Sequence, residues 1–136
     1  MVGWILAALL LLFVQSLLPP AIRYMRNGRS ILANFTYALG PRDVPMASVP
    51  AAERASRALA NLMESLPIFL TLAVLVVVLE ADGGMAQLGA AIYVLGRIVY
   101  VPCYVFGVYL MRSLVWALAG GGLLLLAIPV ISAAPG

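Results

Sequence analysis

The chain has no histidine, no lysine and a single cysteine, Cys103. Without an imidazole it has no histidine-ligated zinc or haem and no histidine general base. One cysteine makes neither an internal disulfide nor a paired-thiol redox site, so Cys103 reads as a small apolar side chain. Charge is scarce: 10% of the 136 residues are charged, against about 25% in an ordinary soluble domain. No basic run interleaved with aromatics marks a nucleic-acid surface, so the net charge of +3 bears on membrane topology instead.

What is present is apolar: 65% of residues are hydrophobic and the mean hydropathy is +1.10. A membrane crossing takes about 20 apolar residues for a ~30 Å hydrocarbon core, and the chain has room for four. The expected organisation is one all-α membrane domain over 1–136, with helices at about 2–22, 51–80, 85–106 and 109–131 and a loop over 23–50. Nothing basic precedes the first segment and no small-residue cleavage site ends it, so it reads as a spanning helix rather than a signal peptide. Trp4 suits an interfacial anchor, and Pro19 and Pro20 are expected to kink or loosen the last turn. The first loop holds Arg23, Arg26, Arg29 and Arg42 against Asp43, whereas the turn Ala81-Asp82-Gly83-Gly84 has no arginine. Arginine-bearing loops stay in the cytoplasm, which places both termini outside. No internal repeat suggests an inverted-repeat transporter.

The informative residues are polar ones inside the apolar segments. Arg54, Arg57, Asn61 and Glu64 are spaced three, four and three apart, one stripe at helical periodicity. Glu64 falls about 15 Å deeper than Arg54 by helical rise. Tyr93, Arg97, Tyr100 and Tyr104 make a second stripe, spaced four, three and four. Pro102 in that helix frees the carbonyl of Ile98, and a kink there is expected to open space beside Arg97. Arg112 and Ser113 open the fourth helix, with Trp116 one turn on. Arg54, Arg57, Arg97 and Arg112 then share the cytoplasmic half with Glu64 as their lone carboxylate, a site with surplus positive charge that suits an anion. Other readings stand beside this one. Arg54 fits an arginine snorkelling to the headgroups; Arg57, Asn61 and Glu64 fit a ligand-free interhelical clasp; the tyrosines fit an aromatic belt.

The segment Arg54-Ala55-Ser56-Arg57-Ala58-Leu59-Ala60-Asn61-Leu62-Met63-Glu64-Ser65-Leu66-Pro67 resembles the R-A-x-x-N-x-x-E-x-x-P signature of MAPEG, the membrane-associated proteins in eicosanoid and glutathione metabolism. Leu39-Gly40-Pro41-Arg42-Asp43 is similar to a loop element of its small bacterial members. Gly96-Arg97-Ile98-Val99-Tyr100-Val101-Pro102-Cys103-Tyr104, followed by Arg112-Ser113, resembles their third and fourth helices. The resemblance implies a four-helix bundle in a bacterial inner membrane, a homotrimer, and glutathione as cosubstrate between subunits near the cytoplasmic face. It also implies glutathione contacts from Arg54, Arg57, Asn61, Glu64, Arg97, Tyr100 and Tyr104, and thiolate stabilisation by Arg112 with Ser113 beside it. Small residues Ala51, Ala55, Ala58 and Ala60 would admit close helix approach at the subunit interface. The chain departs from the family pattern at Leu59, where many relatives have histidine, and at Ala60, where some have a basic residue.

The expected function is a glutathione transferase acting on an apolar electrophile from the lipid, with lipid-peroxide reduction as a second activity and no metal. A thiol with a pKa near 8.5 is about 3% ionised at pH 7, and lowering that pKa by two units raises the reactive fraction roughly twentyfold. A partly dry arginine supplies that shift without a histidine base. The alternatives are a non-enzymatic scaffold of the same fold that binds lipid or a partner, and a small transporter using Glu64 as a proton-coupled site.

Overall fold

The protein is described by a computed structural model over residues 1–41, 43 and 45–133; Arg42 of the loop element lies outside the described residues. The described residues form helices and connecting turns only: α1 (Val2–Arg26), α2 (Ile31–Leu39), α3 (Pro50–Val78), α4 (Gly84–Val105) and α5 (Tyr109–Ala133). Helices α1, α3, α4 and α5 have 25, 29, 22 and 25 residues and are apolar enough to cross a bilayer. The chain is thus an all-α, integral, multi-pass membrane protein whose spans form a four-helix bundle.

Two segments depart from the sequence expectation. α1 runs through Pro19 and Pro20 to Arg26. Proline's fixed φ is helical, and what it removes is its own N–H bond and space near the preceding turn. Membrane helices tolerate that loss, and Arg23 and Arg26 in the last turn suit the negative end of the helix dipole. The stretch 23–50, expected as loop, contains α2. Its N-cap is Ser30, whose Oγ accepts from the amide of Ala33 at 3.2 Å. Asn34 ties it back to α1, donating to the carbonyl of Tyr24 at 2.9 Å.

The spans run up, down, up, down. At one end Arg23 Nη2 of α1 meets Glu53 Oε1 of α3 at 3.0 Å. At the other, the Met1 ammonium meets Asp82 at 2.7 Å. Trp4 Nε1 donates to Gln87 Oε1 at 2.8 Å, and Gln87 Nε2 to Asp82 Oδ1 at 2.6 Å. These bonds tie the start of α1 to the α3–α4 turn. The ammonium, then Gln87, hold the Asp82 carboxyl below its ordinary range. Just past the end of α3, Glu80 takes φ +52 and the amide of Ala81 reaches the carbonyl of Val76 at 2.9 Å. Past α4, Gly107 similarly takes φ +77, with Val108 N donating to Cys103 O at 2.9 Å. Both are left-handed closures that satisfy terminal carbonyls.

α4 and α5 form an antiparallel hairpin with backbone contact at its centre. A Cβ on Gly89 would lie 2.7 Å from the amide nitrogen of Leu126, and one on Gly122 would lie 2.7 Å from the carbonyl of Gly89. Close approach of this kind increases van der Waals contact between helices that gain no hydrophobic drive from lipid. Phe69 of α3 stacks on Tyr93 of α4, with centroids 4.5 Å apart and planes 12° from parallel, in the middle of the core. Ala51, Ala55 and Ala58 are buried within the single chain. These three alanines therefore pack α3 into its own bundle, and only Ala60 of the four faces outward.

Candidate functional site

The second polar stripe assembles around Arg97, which is 4% exposed. Its Nη1 donates to Asn61 Oδ1 at 2.6 Å and its Nη2 to Ser65 Oγ at 2.7 Å. Asn61 and Ser65 lie one turn apart on α3, so one guanidinium bridges both from α4. Tyr93 and Tyr100 sit on either side along α4, each with its ring centroid 5.5 Å from Arg97 Cζ. Ser65 also shares a 2.9 Å hydrogen bond with Tyr93 Oη and donates to the carbonyl of Leu62 at 3.3 Å. With Tyr93 as donor, Ser65 accepts twice and donates once, its full capacity. Every partner of Arg97 is neutral, and its buried Nε has no hydrogen-bond partner among the described residues. The positive charge is held by dipoles and ring faces but not neutralised.

Two adjoining cavities open in front of this cluster, between α3 and α5. One of about 500 Å³ is lined by Asn61, Tyr100, Tyr104, Arg112, Ser113 and Trp116. The other, about 220 Å³, includes Asn61, Glu64, Ser65, Arg97, Trp116 and Gly120 in its lining. Asn61 and Trp116 are common to both, so the two make one cleft with Arg97 at its back. Arg112 is half-buried at the cleft, its Cζ 4.9 Å from the centroid of Tyr104 and 5.8 Å from that of Tyr109. Tyr104 is tilted against Tyr100, centroids 5.5 Å apart. The rings thus flank the guanidinium, whose N–H groups have no hydrogen-bond partner among the described residues. Ser113 Oγ bonds back to the carbonyl of Tyr109 at 3.3 Å.

Seven of the nine residues singled out in the sequence therefore line one cleft: Asn61, Glu64, Arg97, Tyr100, Tyr104, Arg112 and Ser113. Glu64 is exposed at its edge and accepts from Asn61 Nδ2 at 3.5 Å. Arg57 lies outside the cleft, exposed on the outer face of α3, and no ion pair is formed by it among the described residues. Arg54 also lies elsewhere, its Nη1 against Gly107 and its Nε donating to the carbonyl of Pro50 at 3.4 Å. Nor does Pro102 open space beside Arg97. Five residues further along α4 it points well away around the helix, and it lines a different groove, between α1, α3 and α4. Ser65 is the residue sequence reasoning missed. Its signal was its place one turn after Asn61, the spacing that put the rest of the stripe together.

Chemically, the cleft offers two guanidiniums, one carboxylate, an amide and tyrosine and serine hydroxyls, with no group of three or more metal-ligating side chains among the described residues. That set suits a small, multiply charged anion with an amine, bound at the wall of an apolar bundle. The family model described as MAPEG family matches residues 1–132 of the chain. No curated protein and no solved structure matches it.

Proposed function

The chain belongs to the MAPEG family, and from that premise we propose that it is a glutathione-dependent transferase acting on apolar electrophiles, with lipid-peroxide reduction as a second activity. The observation that carries the reading is the uncompensated charge of Arg97, held among neutral partners with its Nε unpartnered among the described residues. A guanidinium fixed before its ligand arrives binds an anion without first being reoriented.

Glutathione has two carboxylates, an ammonium and a thiol. Arg97 with Asn61 suits a carboxylate, and Glu64 suits the ammonium. Arg112 favours the ionised sulfur, whose proton passes to solvent. The thiolate then attacks the electrophilic carbon, forming a carbon–sulfur bond as the leaving group departs with the electron pair of the broken bond. Trp116 and the apolar wall of α5 receive the electrophile from the lipid side. The protein contributes charge and orientation, and the cosubstrate contributes the nucleophile.

The assembly we propose is a homotrimer. Glu64 is the central residue of the 29-residue α3, with fourteen residues on either side, and it is exposed together with Arg57. A charge facing lipid at that depth costs about 2.5–3.5 kcal/mol, and a neighbouring protomer over this face removes that exposure. The Arg23, Arg26 and Arg54 end then faces the cytoplasm and both termini face outside, in a bacterial inner membrane.

The test is titration of glutathione into the purified protein, read by the ultraviolet absorbance of the thiolate near neutral pH, followed by turnover of an aryl halide. Thiolate formation with turnover supports the proposal; absence of both overturns it. The outer face of α3 favours one alternative, because Ala60 is exposed and Leu59 half-buried and neither adds a polar contact between Arg57 and Glu64. In that reading the chain is a lipid-binding or partner-binding scaffold, which requires that no thiolate forms.

A further inference from the structure

A second cavity, distinct from the α3–α5 cleft, lies between α1, α3 and α4 at the arginine-bearing end of the bundle. It measures about 680 Å³, and its lining includes Leu18, Ile22, Arg26, Arg54, Val101 and Phe106. Its chemistry is divided along its length. Arg26 and Arg54 are its only charged residues among the described ones; Ile22, Leu18 and Val101 run from them toward the middle of the bundle, while Phe106, next to the Gly107 that Arg54 abuts, sits at the mouth. Leu18 lies about 12 Å from Arg26 along the helix axis, room for the upper part of an acyl chain.

The two arginines are uncompensated. The nearby Arg23 is neutralised by Glu53 at 3.0 Å, but neither Arg26 nor Arg54 forms an ion pair among the described residues. Arg54 spends only its Nε, on a long 3.4 Å bond to Pro50. Its guanidinium occupies space that a side chain at Gly107 would fill, since a Cβ there would lie 2.8 Å from Nη1. Exposed Phe106 leaves the groove open to the outside.

Arginine-bearing ends of spanning helices sit at the membrane surface, and α2 marks that level here. α2 begins five residues after Arg26 and exposes Ile31, Leu32, Phe35 and Leu39, the least of them Phe35 at 61%. A short helix with a bare apolar face settles at the boundary of headgroups and acyl chains. A cationic mouth at headgroup depth over an apolar channel matches an amphiphile with an anionic head.

We infer that this groove binds an anionic phospholipid, its phosphate between Arg26 and Arg54 and an acyl chain that enters past Phe106 and runs along Ile22, Leu18 and Val101. Arginine suits the head because its fork of N–H donors matches a phosphate and it keeps its charge in a partly dry place.

Native mass spectrometry of the purified protein, titrated with phosphatidylglycerol and with phosphatidylcholine, tests this. The expected result is preferential retention of phosphatidylglycerol, reduced roughly thirtyfold by Arg26→Gln with Arg54→Gln and unchanged by Arg29→Gln, which lies outside the groove. Val101→Trp, which fills the channel and keeps both arginines, lowers retention as well. Equal retention of the two lipids, or an unaffected double variant, overturns the inference. So does equal competition by inorganic phosphate, the mark of a free-anion site. Disulfide formation between copies carrying Phe106→Cys in a Cys103→Ala background also overturns it, by placing a second copy of the chain in the groove.

Discussion

Arg97 on α4 donates to Asn61 on α3 through a 2.6 Å hydrogen bond within the spanning part of the bundle. The same guanidinium reaches Ser65 one turn away, so α3 and α4 are fixed in register by one side chain. Arg97→Lys keeps the charge but loses the fork, because an ammonium is a compact donor that does not match two acceptors a turn apart. The expected loss is about 1–3 kcal/mol of stability in detergent, seen as a lower thermal midpoint by circular dichroism. A double-mutant cycle with Ser65→Ala shows coupling if the bridge exists and simple additivity if it does not.

How far this bridge was legible depends on which property is asked about. Spacing placed Asn61 and Glu64 on one stripe and Arg97, Tyr100 and Tyr104 on another, and those are the residues that meet. Spacing fixes only relative angle around an axis, not which neighbour the stripe meets. Arg57 shares the stripe of Asn61 yet is exposed, because the stripe straddles the edge between the α3–α4 contact and the outer surface. The small size of Ala51, Ala55 and Ala58 suggests an intersubunit surface, but they are the side on which α3 packs into its own bundle. α2 was hidden by the polar and Gly-rich sequence around it, although Ser30 before an apolar run is an N-cap signal.

Arg112 is held against Tyr104 at 4.9 Å and lines the larger cavity, where the proposed glutathione thiolate would sit. Removing the cation withdraws support from the anion, so the pKa of bound glutathione rises toward the free value near 8.5. Arg112→Gln is expected to leave about 3% thiolate at pH 7 while Arg112→Lys retains more. A pH titration of thiolate absorbance checks this. An unchanged titration curve in Arg112→Gln would remove the residue from the proposed chemistry.

Gly89 and Gly122 mark where α4 and α5 touch through backbone. Gly89→Ala places its methyl 2.7 Å from the Leu126 amide nitrogen and 2.8 Å from the Gly122 carbonyl, atoms that cannot rotate aside. The helices must separate, at a cost of about 1–3 kcal/mol, even though alanine favours the helix. Gly121→Ala meets nothing within 4 Å and is expected to change stability by less than about 0.5 kcal/mol. Thermal unfolding of the pair in one detergent gives the comparison. Equal midpoints would mean that the close approach contributes nothing.

Glu64 and Arg57 separate the proposed assembly from an isolated bundle. Both are exposed on α3, two turns apart; at the mid-helix depth of Glu64 lipid contact costs about 2.5–3.5 kcal/mol by insertion scales, whereas Arg57, about 10 Å nearer the helix end, reaches toward the headgroups at a lower cost. If a neighbouring protomer covers them, Arg57→Leu together with Glu64→Leu removes polar contacts between subunits and shifts native mass spectra from trimer toward monomer. If each chain stands alone in lipid, the same double variant is relieved of exposed charge and becomes more stable without any change of mass. A third outcome discriminates the transport reading: Glu64→Gln abolishing solute flux in liposomes while the trimer and glutathione binding persist would make this carboxylate a translocation site rather than an interface group. The expected result is loss of trimer in the double variant and weakened glutathione binding in Glu64→Gln, because Glu64 lines the cleft and is exposed on the face that the proposed trimer would cover.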